Sequence, residues 1–196
     1  MGDVFNPCSL ALRFNHRYMT PNLWYSSLKD VPQRVLEERG IRGIILDGDN
    51  VLWEHGGTYP DTRIKDRLYE LSVRYKGHIC LLTNMRDEER KKEVTMNLGE
   101  VFGIPVVDGL YKKPSIRAYE AALDITGTRA RETAMVDDRV GSLPGANKLG
   151  ITTVLVDPLS IWSEPRIFWL ARFAEKAWLG TSHLLFNHPA SRYSGQ

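Results

Sequence analysis

From residue 41 onward, short apolar runs rich in β-branched residues alternate with longer stretches whose apolar residues recur at helical spacing. The apolar runs cover residues 41–46, 78–82, 104–107, 133–136 and 151–156. The helical stretches cover residues 61–75, 86–98, 114–125 and 144–149. Runs of this length without polar alternation are typical of strands that are buried on both faces of a parallel sheet. The alternation therefore predicts an α/β fold, a Rossmann-like three-layer sandwich with a mainly parallel sheet.

Length and composition fit one such domain with a flank on each side. The chain has 196 residues, 42% of them hydrophobic and 26% charged, which is enough for a core that needs no covalent staple. We expect a core over residues 41–158, an N-terminal flank over 1–40, and an aromatic-rich C-terminal helix and tail over 159–196. The two cysteines, Cys8 and Cys80, are too few for a disulfide framework and fit a reducing compartment.

Charge and hydropathy argue against two classes of partner. Lys and Arg number 26 against 24 acidic residues, a net charge of +2, so we expect no nucleic-acid partner. No segment approaches the ~18 uninterrupted apolar residues of a transmembrane helix. The N-terminal residues also lack the basic and then apolar order of a secretory signal. We therefore expect a cytoplasmic protein, and a peripheral membrane contact stays open.

Polar residues follow the predicted strands, at the sheet edge where ligands bind in open α/β folds. They are Asp47 and Asp49 after the first strand, Thr83 and Asn84 after the second, Lys113 after the third, and Asp137 and Asp138 after the fourth. Carboxylates this close repel one another unless a cation neutralises them, and hard oxygen ligands suit Mg²⁺. A carboxylate nucleophile, a metal and a lysine together describe phosphoryl transfer through an aspartyl phosphate.

Each of these residues has an ordinary structural explanation when it is taken alone. An Asp after a strand often only caps the next helix, and a single lysine is most often solvated on the surface. The order of all four groups, each after a buried strand, favours a phosphate site. The chain has no Gly-x-Gly-x-x-Gly and no Gly-Lys-Ser/Thr loop, which argues against dinucleotide binding and against a P-loop.

This ordered set resembles the four motifs of the haloacid dehalogenase (HAD) superfamily of phosphohydrolases. The matching segments are Asp47-Gly48-Asp49-Asn50-Val51, Leu82-Thr83-Asn84, Lys113-Pro114 and Val136-Asp137-Asp138. Residues 28–32, 40–47 and 145–158 further resemble the YqeG and phosphatidylglycerophosphate phosphatase family, subfamily IIIA. The resemblance covers about residues 25–158. Gly48 and Val51 depart from the Leu and Thr that are usual in that family.

The resemblance implies catalytic and metal-binding roles for the acids. Asp47 would be the nucleophile, and Asp49 would act as general acid and then general base. Mg²⁺ would lie on Asp47, the backbone carbonyl of Asp49 and Asp137, with Asp138 nearby or linked through water. The family's motif four usually carries a later acid where this chain has Gly141 and Ser142, and Asp138 is the candidate to replace it.

The resemblance also implies how substrate is held. Thr83 and Lys113 would bind the transferring phosphoryl group, and Asn84 would orient its loop or contact substrate. The segments between the motifs are too short for a cap domain, so we expect an open site. An open site suits a large substrate such as a lipid headgroup at a membrane, and formation of a homo-oligomer is the alternative that would close it.

Residues 161–179 read as a Trp-rich amphipathic helix. Its apolar stripe comprises Ile167, Leu170, Ala171, Ala174 and Trp178, and its polar residues are Arg166, Arg172, Glu175 and Lys176. Such a helix either lies in a lipid interface or packs on the core or on a second subunit.

The combined expectation is a Mg²⁺-dependent phosphomonoester hydrolase that resembles phosphatidylglycerophosphate phosphatase. The alternatives are a cap-less phosphatase for soluble esters, such as sugar or nucleotide phosphates, and a catalytically idle phosphate-binding module. The intact pair Asp47 and Asp49 argues against the idle module, because loss of the nucleophile is its simplest sign.

Overall fold

A computed structural model describes residues 18–108, 110–166, 169–175, 177 and 179. Five parallel strands form one sheet in the order β1-β5-β4-β2-β3. The strands are β1 (Leu23–Tyr25), β2 (Gly43–Leu46), β3 (Ile79–Leu81), β4 (Thr133–Asp137) and β5 (Thr152–Val156). The helices are α1 (Gln33–Glu38), α2 (Lys65–Arg74), α3 (Glu88–Phe102), α4 (Ile116–Thr126) and α5 (Leu143–Leu149). The predicted α/β fold with a parallel sheet is confirmed.

The sheet separates two hydrophobic clusters, one on each face. Ile44 of β2 packs in the cluster that contains Leu68 of α2 and Leu98 of α3. The next residue, Ile45, belongs to the opposite cluster with Tyr119 of α4. Because successive side chains of a strand point to opposite faces, helices cover both sides of the sheet. This is the three-layer arrangement that the alternating sequence predicts.

Two elements differ from the sequence prediction. The N-terminal flank contributes a strand, since Leu23 of β1 pairs with Val154 of β5 at the sheet edge. The predicted strand over residues 104–107 is reduced to a single bridge between Leu81 and Val106. Pro105 has no N–H to donate, which limits pairing in this segment.

The connections that precede the site are short. A loop and α2 join β2 to β3, and α3 with the bridged segment leads from β3 towards Lys113, with residue 109 outside the described part. Neither described connection contains a separate domain, which agrees with the expected absence of a cap. Among the described residues, loops, Arg90 of α3 and the C-terminal segment border the carboxyl ends of β2, β3 and β4.

The C-terminal segment returns to this edge of the sheet. Residues 169–175 are helical, and Leu179 packs with Val140 and Leu155. Ile167, Phe168, Lys176 and Trp178, like residues 1–17 and 180–196, lie outside the described residues. In the part of the chain that is described, no helix has both the length and the apolar character needed to cross a bilayer.

Candidate active site

The residues predicted from the motifs meet at one cleft above the carboxyl ends of β2, β3 and β4. The cleft has a volume of about 690 Å³, and six of the seven line it: Asp47, Asp49, Thr83, Asn84, Lys113 and Asp138. The seventh, Asp137, lies fully buried beneath them. A groove of about 740 Å³ between α1 and α2 contains none of these acids. The chemistry therefore points to the cleft rather than to that groove.

Lys113 lies between two buried carboxylates at the bottom of the cleft. Its Nζ is 2.7 Å from Oδ1 of Asp47 and 2.6 Å from Oδ2 of Asp137. Burial by itself lowers the pKa of Lys113, but the charges of Asp137 and Asp47 more than offset this and raise the pKa above its ordinary value. Lys113 is therefore a charged donor that points at the proposed nucleophile.

Asn84 fixes the backbone that carries Lys113. Its Nδ2 donates to the carbonyl of Lys113 at 2.9 Å, and its Oδ1 accepts from the N–H of Lys113 at 2.8 Å. On the other side, a Cβ on Gly145 would lie only 2.2 Å from the carbonyl oxygen of Pro114. Helix α5 can approach the lysine loop this closely only because residue 145 has no side chain.

Three carboxylates form a buried cluster. One oxygen from each of Asp47, Asp137 and Asp138 lies within 4.8 Å of the other two. With all three ionised and Lys113 protonated, the group carries two net negative charges. Hard oxygen donors around two uncompensated charges fit a divalent ion such as Mg²⁺.

The protonation of this cluster reflects its burial. Burial raises the pKa of Asp47 to about 7, and the charge of Asp137 adds to the rise while Lys113 opposes it. Burial likewise raises the pKa of Asp138 well above that of an ordinary carboxyl, and the neighbouring charge of Asp137 contributes. Lys113 and Arg172 offset only part of this negative charge, so in the absence of a metal ion protons neutralise the rest.

Asp49 lies at the side of the cleft, and its carboxylate is outside the cluster. Its Oδ1 accepts from Trp53 Nε1 and from the N–H of Gly56, both at 3.1 Å. Arg90 of α3 holds the same carboxylate with two nitrogens: Nη1 lies 3.3 Å from Oδ2, and Nη2 pairs with Oδ1. Sequence reasoning did not single out Arg90 or Trp53, because neither belongs to a motif.

Trp53 also explains why residue 48 is glycine. A Cβ on Gly48 would lie 2.6 Å from Cζ2 of Trp53, closer than side-chain atoms normally approach. Trp53 is 1% exposed, so its ring has no open space into which it could retreat. The indole therefore occupies the space beside residue 48, and its Nε1 also donates to Asp49.

Asp138 is held by a residue from the C-terminal helix. Arg172 donates from Nη1 to the backbone carbonyl of Asp138 at 3.1 Å and pairs through Nη2 with the Asp138 carboxylate. The sequence pattern placed Arg172 on the polar side of an amphipathic helix, yet its side chain is only 7% exposed. Two buried carboxylates, Asp138 and Glu164, hold the guanidinium inside, so the polar side of the helix faces the protein at this position.

Comparison with known sequences adds a family. A family model described as mitochondrial PGP phosphatase matches residues 6–160. Phosphatidylglycerophosphate phosphatase 1, chloroplastic, of Chlamydomonas reinhardtii is 27% identical over 196 residues, covering 94% of this chain and 72% of that protein. The chloroplastic/mitochondrial enzyme of the same name from Arabidopsis thaliana is 25% identical, covering 84% of this chain and 48% of that protein. The probable phosphatase YqeG of Bacillus subtilis is 25% identical, covering 74% of this chain and 80% of that protein.

Comparison with solved structures supports the fold. A HAD-family enzyme from Bacteroides thetaiotaomicron, solved as a magnesium complex, gives a TM-score of 0.51 at 17% identity. The likeness covers 66% of this chain and 98% of that one. The same enzyme with magnesium and inorganic phosphate gives a TM-score of 0.50, also at 17% identity, over 63% of this chain and 98% of that one. At such identities the likeness shows that the fold is shared.

Proposed function

The chain belongs to the PGP phosphatase family, and from this premise we propose that it hydrolyses phosphatidylglycerophosphate in a Mg²⁺-dependent reaction that proceeds through an aspartyl phosphate. The observation that carries the proposal is the buried ion triad of Asp47, Lys113 and Asp137 at the carboxyl edge of the sheet. The proposal is supported by the fixed positive charge of Lys113 beside Asp47, because phosphoryl transfer needs such a charge next to its nucleophile.

In the proposed first step, a carboxylate oxygen of Asp47 attacks the phosphorus of the monoester. The bond from phosphorus to the ester oxygen breaks, and the leaving alkoxide takes a proton from the carboxyl group of Asp49. In the second step, ionised Asp49 takes a proton from water as that water attacks the aspartyl phosphate. Inorganic phosphate leaves, and both aspartates return to their starting states.

Lys113 and Thr83 would bind the phosphoryl group while it transfers. The Lys113 ammonium is held rigidly by its two ion pairs and by Asn84, so little reorganisation is needed as charge develops on the phosphoryl oxygens. Thr83 lines the same cleft and supplies a hydroxyl donor. Asn84 acts through Lys113, by holding its backbone in place.

Asp47, Asp137 and Asp138 would hold Mg²⁺, together with the backbone carbonyl of Asp49. The bound ion supplies positive charge that neutralises the carboxylates and polarises the phosphoryl group. The donor chemistry of the cluster supports this choice of ion, since all three side chains offer carboxylate oxygens.

A lipid substrate requires contact with a membrane surface, which we assign to the C-terminal segment within 161–179. Trp162, Leu170 and Phe173 are each at least 75% exposed in this segment, beside a cleft that no cap covers. Aromatic and aliphatic side chains of this kind insert into the interfacial region of a bilayer. The expected cytoplasmic location stays part of the proposal, although two of the similar proteins are named as chloroplastic or chloroplastic/mitochondrial. A second copy of the chain is the competing occupant of this face.

The decisive assay measures phosphate release with and without Mg²⁺, from phosphatidylglycerophosphate micelles and from a panel of soluble sugar and nucleotide phosphates. Asp47→Asn should abolish turnover on every substrate, whereas Asp108→Asn, at an exposed carboxylate, should leave it unchanged. A strong preference for the lipid supports the full proposal. Activity on soluble esters alone would keep the chemistry and reject the lipid, and the absence of any activity would favour the idle module.

Membrane contact is tested separately by flotation with anionic liposomes. Replacement of Leu170 and Phe173 by serine should reduce co-flotation while the melting temperature is kept, because both side chains are exposed. Unchanged flotation of the double variant would reject the lipid interface. A shift of the variant from dimer to monomer in sedimentation would instead assign the face to a second copy.

A further inference from the structure

A buried network of four residues joins the C-terminal helix to the proposed metal cluster. Arg172 lies at its centre, between the carboxylates of Asp138 and Glu164. The exposed fractions of the side chains are 7% for Arg172, 2% for Asp138 and 3% for Glu164. The fourth member is Asn50, whose Nδ2 donates to Oε1 of Glu164 at 2.7 Å.

The guanidinium of Arg172 contacts Asp138 through two of its nitrogens. One contact is to the carboxylate, through Nη2, and the other is to the backbone carbonyl, through Nη1 at 3.1 Å. Its Nε donates to Oε2 of Glu164 at 2.5 Å, so the guanidinium itself cannot rotate freely. Planar, multiple contacts of this kind set the direction of a carboxylate more strictly than a lysine could.

The network also reaches the loop that carries the proposed nucleophile. Asn50 comes three residues after Asp47 and is the only described non-glycine residue with a positive φ, at 62°. It is 1% exposed, and its Oδ1 has no hydrogen-bond partner among the described residues, although the residue lines the cleft. The Glu164 contact fixes the orientation of the Asn50 amide, so the network holds the turn that follows Asp47 as well as Asp138.

Stability alone does not explain this arrangement. A buried group of charges contributes little net stability, because the cost of removing the ions from water roughly cancels their attraction. Asp138 and Glu164 against Arg172 leave one negative charge uncompensated, and Asp138 is shared with the proposed metal cluster. Arg172 and Glu164 moreover lie beyond residue 160, where the match to the family model ends.

We propose that Arg172 is a positioning residue for the metal site, holding Asp138 so that its carboxylate faces the ion bound by Asp47 and Asp137. The inference rests on the proposed function, which supplies the ion. A partner that orients a ligand from behind is expected to change metal affinity by about 10–100-fold when it is removed. The C-terminal helix is thereby a structural part of the catalytic centre.

The test titrates the metal-free full-length chain with Mn²⁺, used as a spectroscopic substitute for Mg²⁺, and follows the free ion by electron paramagnetic resonance. Arg172→Met should weaken Mn²⁺ binding by about tenfold or more and raise the Mg²⁺ concentration for half-maximal activity in parallel. At saturating Mg²⁺ the KM for substrate should stay within about twofold. Arg166→Met, at an exposed helical position in the same segment, is the matched control and should bind Mn²⁺ like the parent chain.

Arg172→Lys separates orientation from charge. It keeps the positive charge but loses the fork, so it should recover only part of the Mn²⁺ affinity. Parental affinity in Arg172→Met, with only a lower melting temperature, would overturn the inference and leave a purely structural residue. Should that variant not fold, parental affinity in Arg172→Lys would overturn it equally.

The proposed function fails in a different way. A parent chain that does not bind Mn²⁺, or binds it equally well as Asp137→Asn, would remove the metal site itself. Binding that depends on Asp137 but not on Arg172 would keep the metal site and reject only the role of Arg172.

Discussion

The floor and the walls of the cleft neutralise their charges differently. The floor consists of Asp47, Lys113 and Asp137, and the two carboxylates share one lysine. The walls are Asp49 and Asp138, and each is held by its own arginine, Arg90 for the first and Arg172 for the second. In each of the two pairs Asp47/Asp49 and Asp137/Asp138, the first acid therefore forms an ion pair with the lysine, and the second forms one with an arginine from a helix.

The difference follows from where the partners come from in the chain. Two of the floor residues, Asp47 and Asp137, lie at the ends of the paired strands β2 and β4, and Lys113 reaches them from the loop before α4. The wall arginines come from α3 and from the C-terminal helix, 41 and 34 positions away from their aspartates. The floor is built by sheet topology, whereas the walls depend on how two helices dock against the sheet edge. Variants can separate these two dependences.

The largest effect is expected at the floor, from Lys113→Met. Two buried carboxylates would lose their shared cation, so the metal-free protein should lose about 3–5 kcal/mol of stability at pH 8. Phosphate release should fall by about 10³-fold, because the fixed charge beside Asp47 is gone. Chemical denaturation and steady-state assays measure both quantities.

The neighbouring Lys112→Met is the matched control for this variant. Lys112 is exposed, so its loss should change neither stability nor rate beyond error. Activity of Lys113→Met within tenfold of the parent would contradict the role of the floor lysine.

A wall variant, Arg90→Met, should affect activity more than stability. The side chains of Arg90 and Asp49 are 17% and 23% exposed, so water can replace part of the lost pairing. We expect a loss of about 1 kcal/mol or less in stability. Activity should fall by about 10²-fold, because Asp49 is no longer held for proton transfer.

Lys92→Met, an exposed position on the same helix, is the control for Arg90→Met. Arg90→Lys should recover only part of the rate, since a lysine cannot form the forked contact. A drop in stability as large as that of Lys113→Met would erase the distinction between wall and floor.

The sequence predicts the floor of the cleft better than it predicts the walls. Apolar runs before Asp47, Thr83 and Asp137 are strong signals, so the three strands beneath the site and the positions of the floor acids could be predicted. β1 was missed because its three residues, Leu23–Tyr25, are too short to show a periodicity. It forms a strand only because the edge of β5 is available for pairing.

The walls could not be predicted by the same means. Helical periodicity separates the apolar residues of the C-terminal helix from Arg172 but does not show which side faces the core, and in the structure Leu170 and Phe173 are exposed while Arg172 is buried. Hydrophobic pattern cannot detect a side chain that is drawn inward by buried charges elsewhere in the chain. Trp53 is a second example, because its contact with residue 48 depends on the local turn and not on a motif.

Gly48 lies between Asp47 of the floor and Asp49 of the wall, and it packs closely against Trp53. Gly48→Ala tests the importance of this contact. The added Cβ would lie 2.6 Å from Cζ2 of the buried indole, so we expect a loss of about 1–3 kcal/mol. Trp53→Phe removes the atom that clashes, so the double variant should lose less than the sum of the single variants. Urea unfolding of the four proteins gives the coupling energy.

Gly99→Ala is the matched control for this cycle. Gly99 lies exposed within α3, and nothing lies within 4 Å of its added Cβ, so this change should stabilise the protein by about 0.5–1 kcal/mol. Strict additivity between Gly48→Ala and Trp53→Phe would show that the indole does not restrict residue 48.

The smallest expected effect concerns protons and metal at the floor. The pKa of Asp47 is raised to about 7 by burial, above its value of 3.8 in an unfolded chain, so its contribution to stability is present at low pH and lost as pH rises through 7. The metal-free melting temperature should therefore fall between pH 5 and pH 8.

Mg²⁺ competes with the proton on Asp47, so each pH unit below 7 should cost up to ~1.4 kcal/mol of Mg²⁺ binding free energy. The Mg²⁺-induced rise in melting temperature should be a few degrees larger at pH 8 than at pH 6. Asp47→Asn should reduce this pH dependence without abolishing it, because the pKa of Asp138 is also raised by burial, and Asp108→Asn should not change it. An equal Mg²⁺ effect at both pH values in the parent chain would show that Asp47 is ionised before the metal arrives.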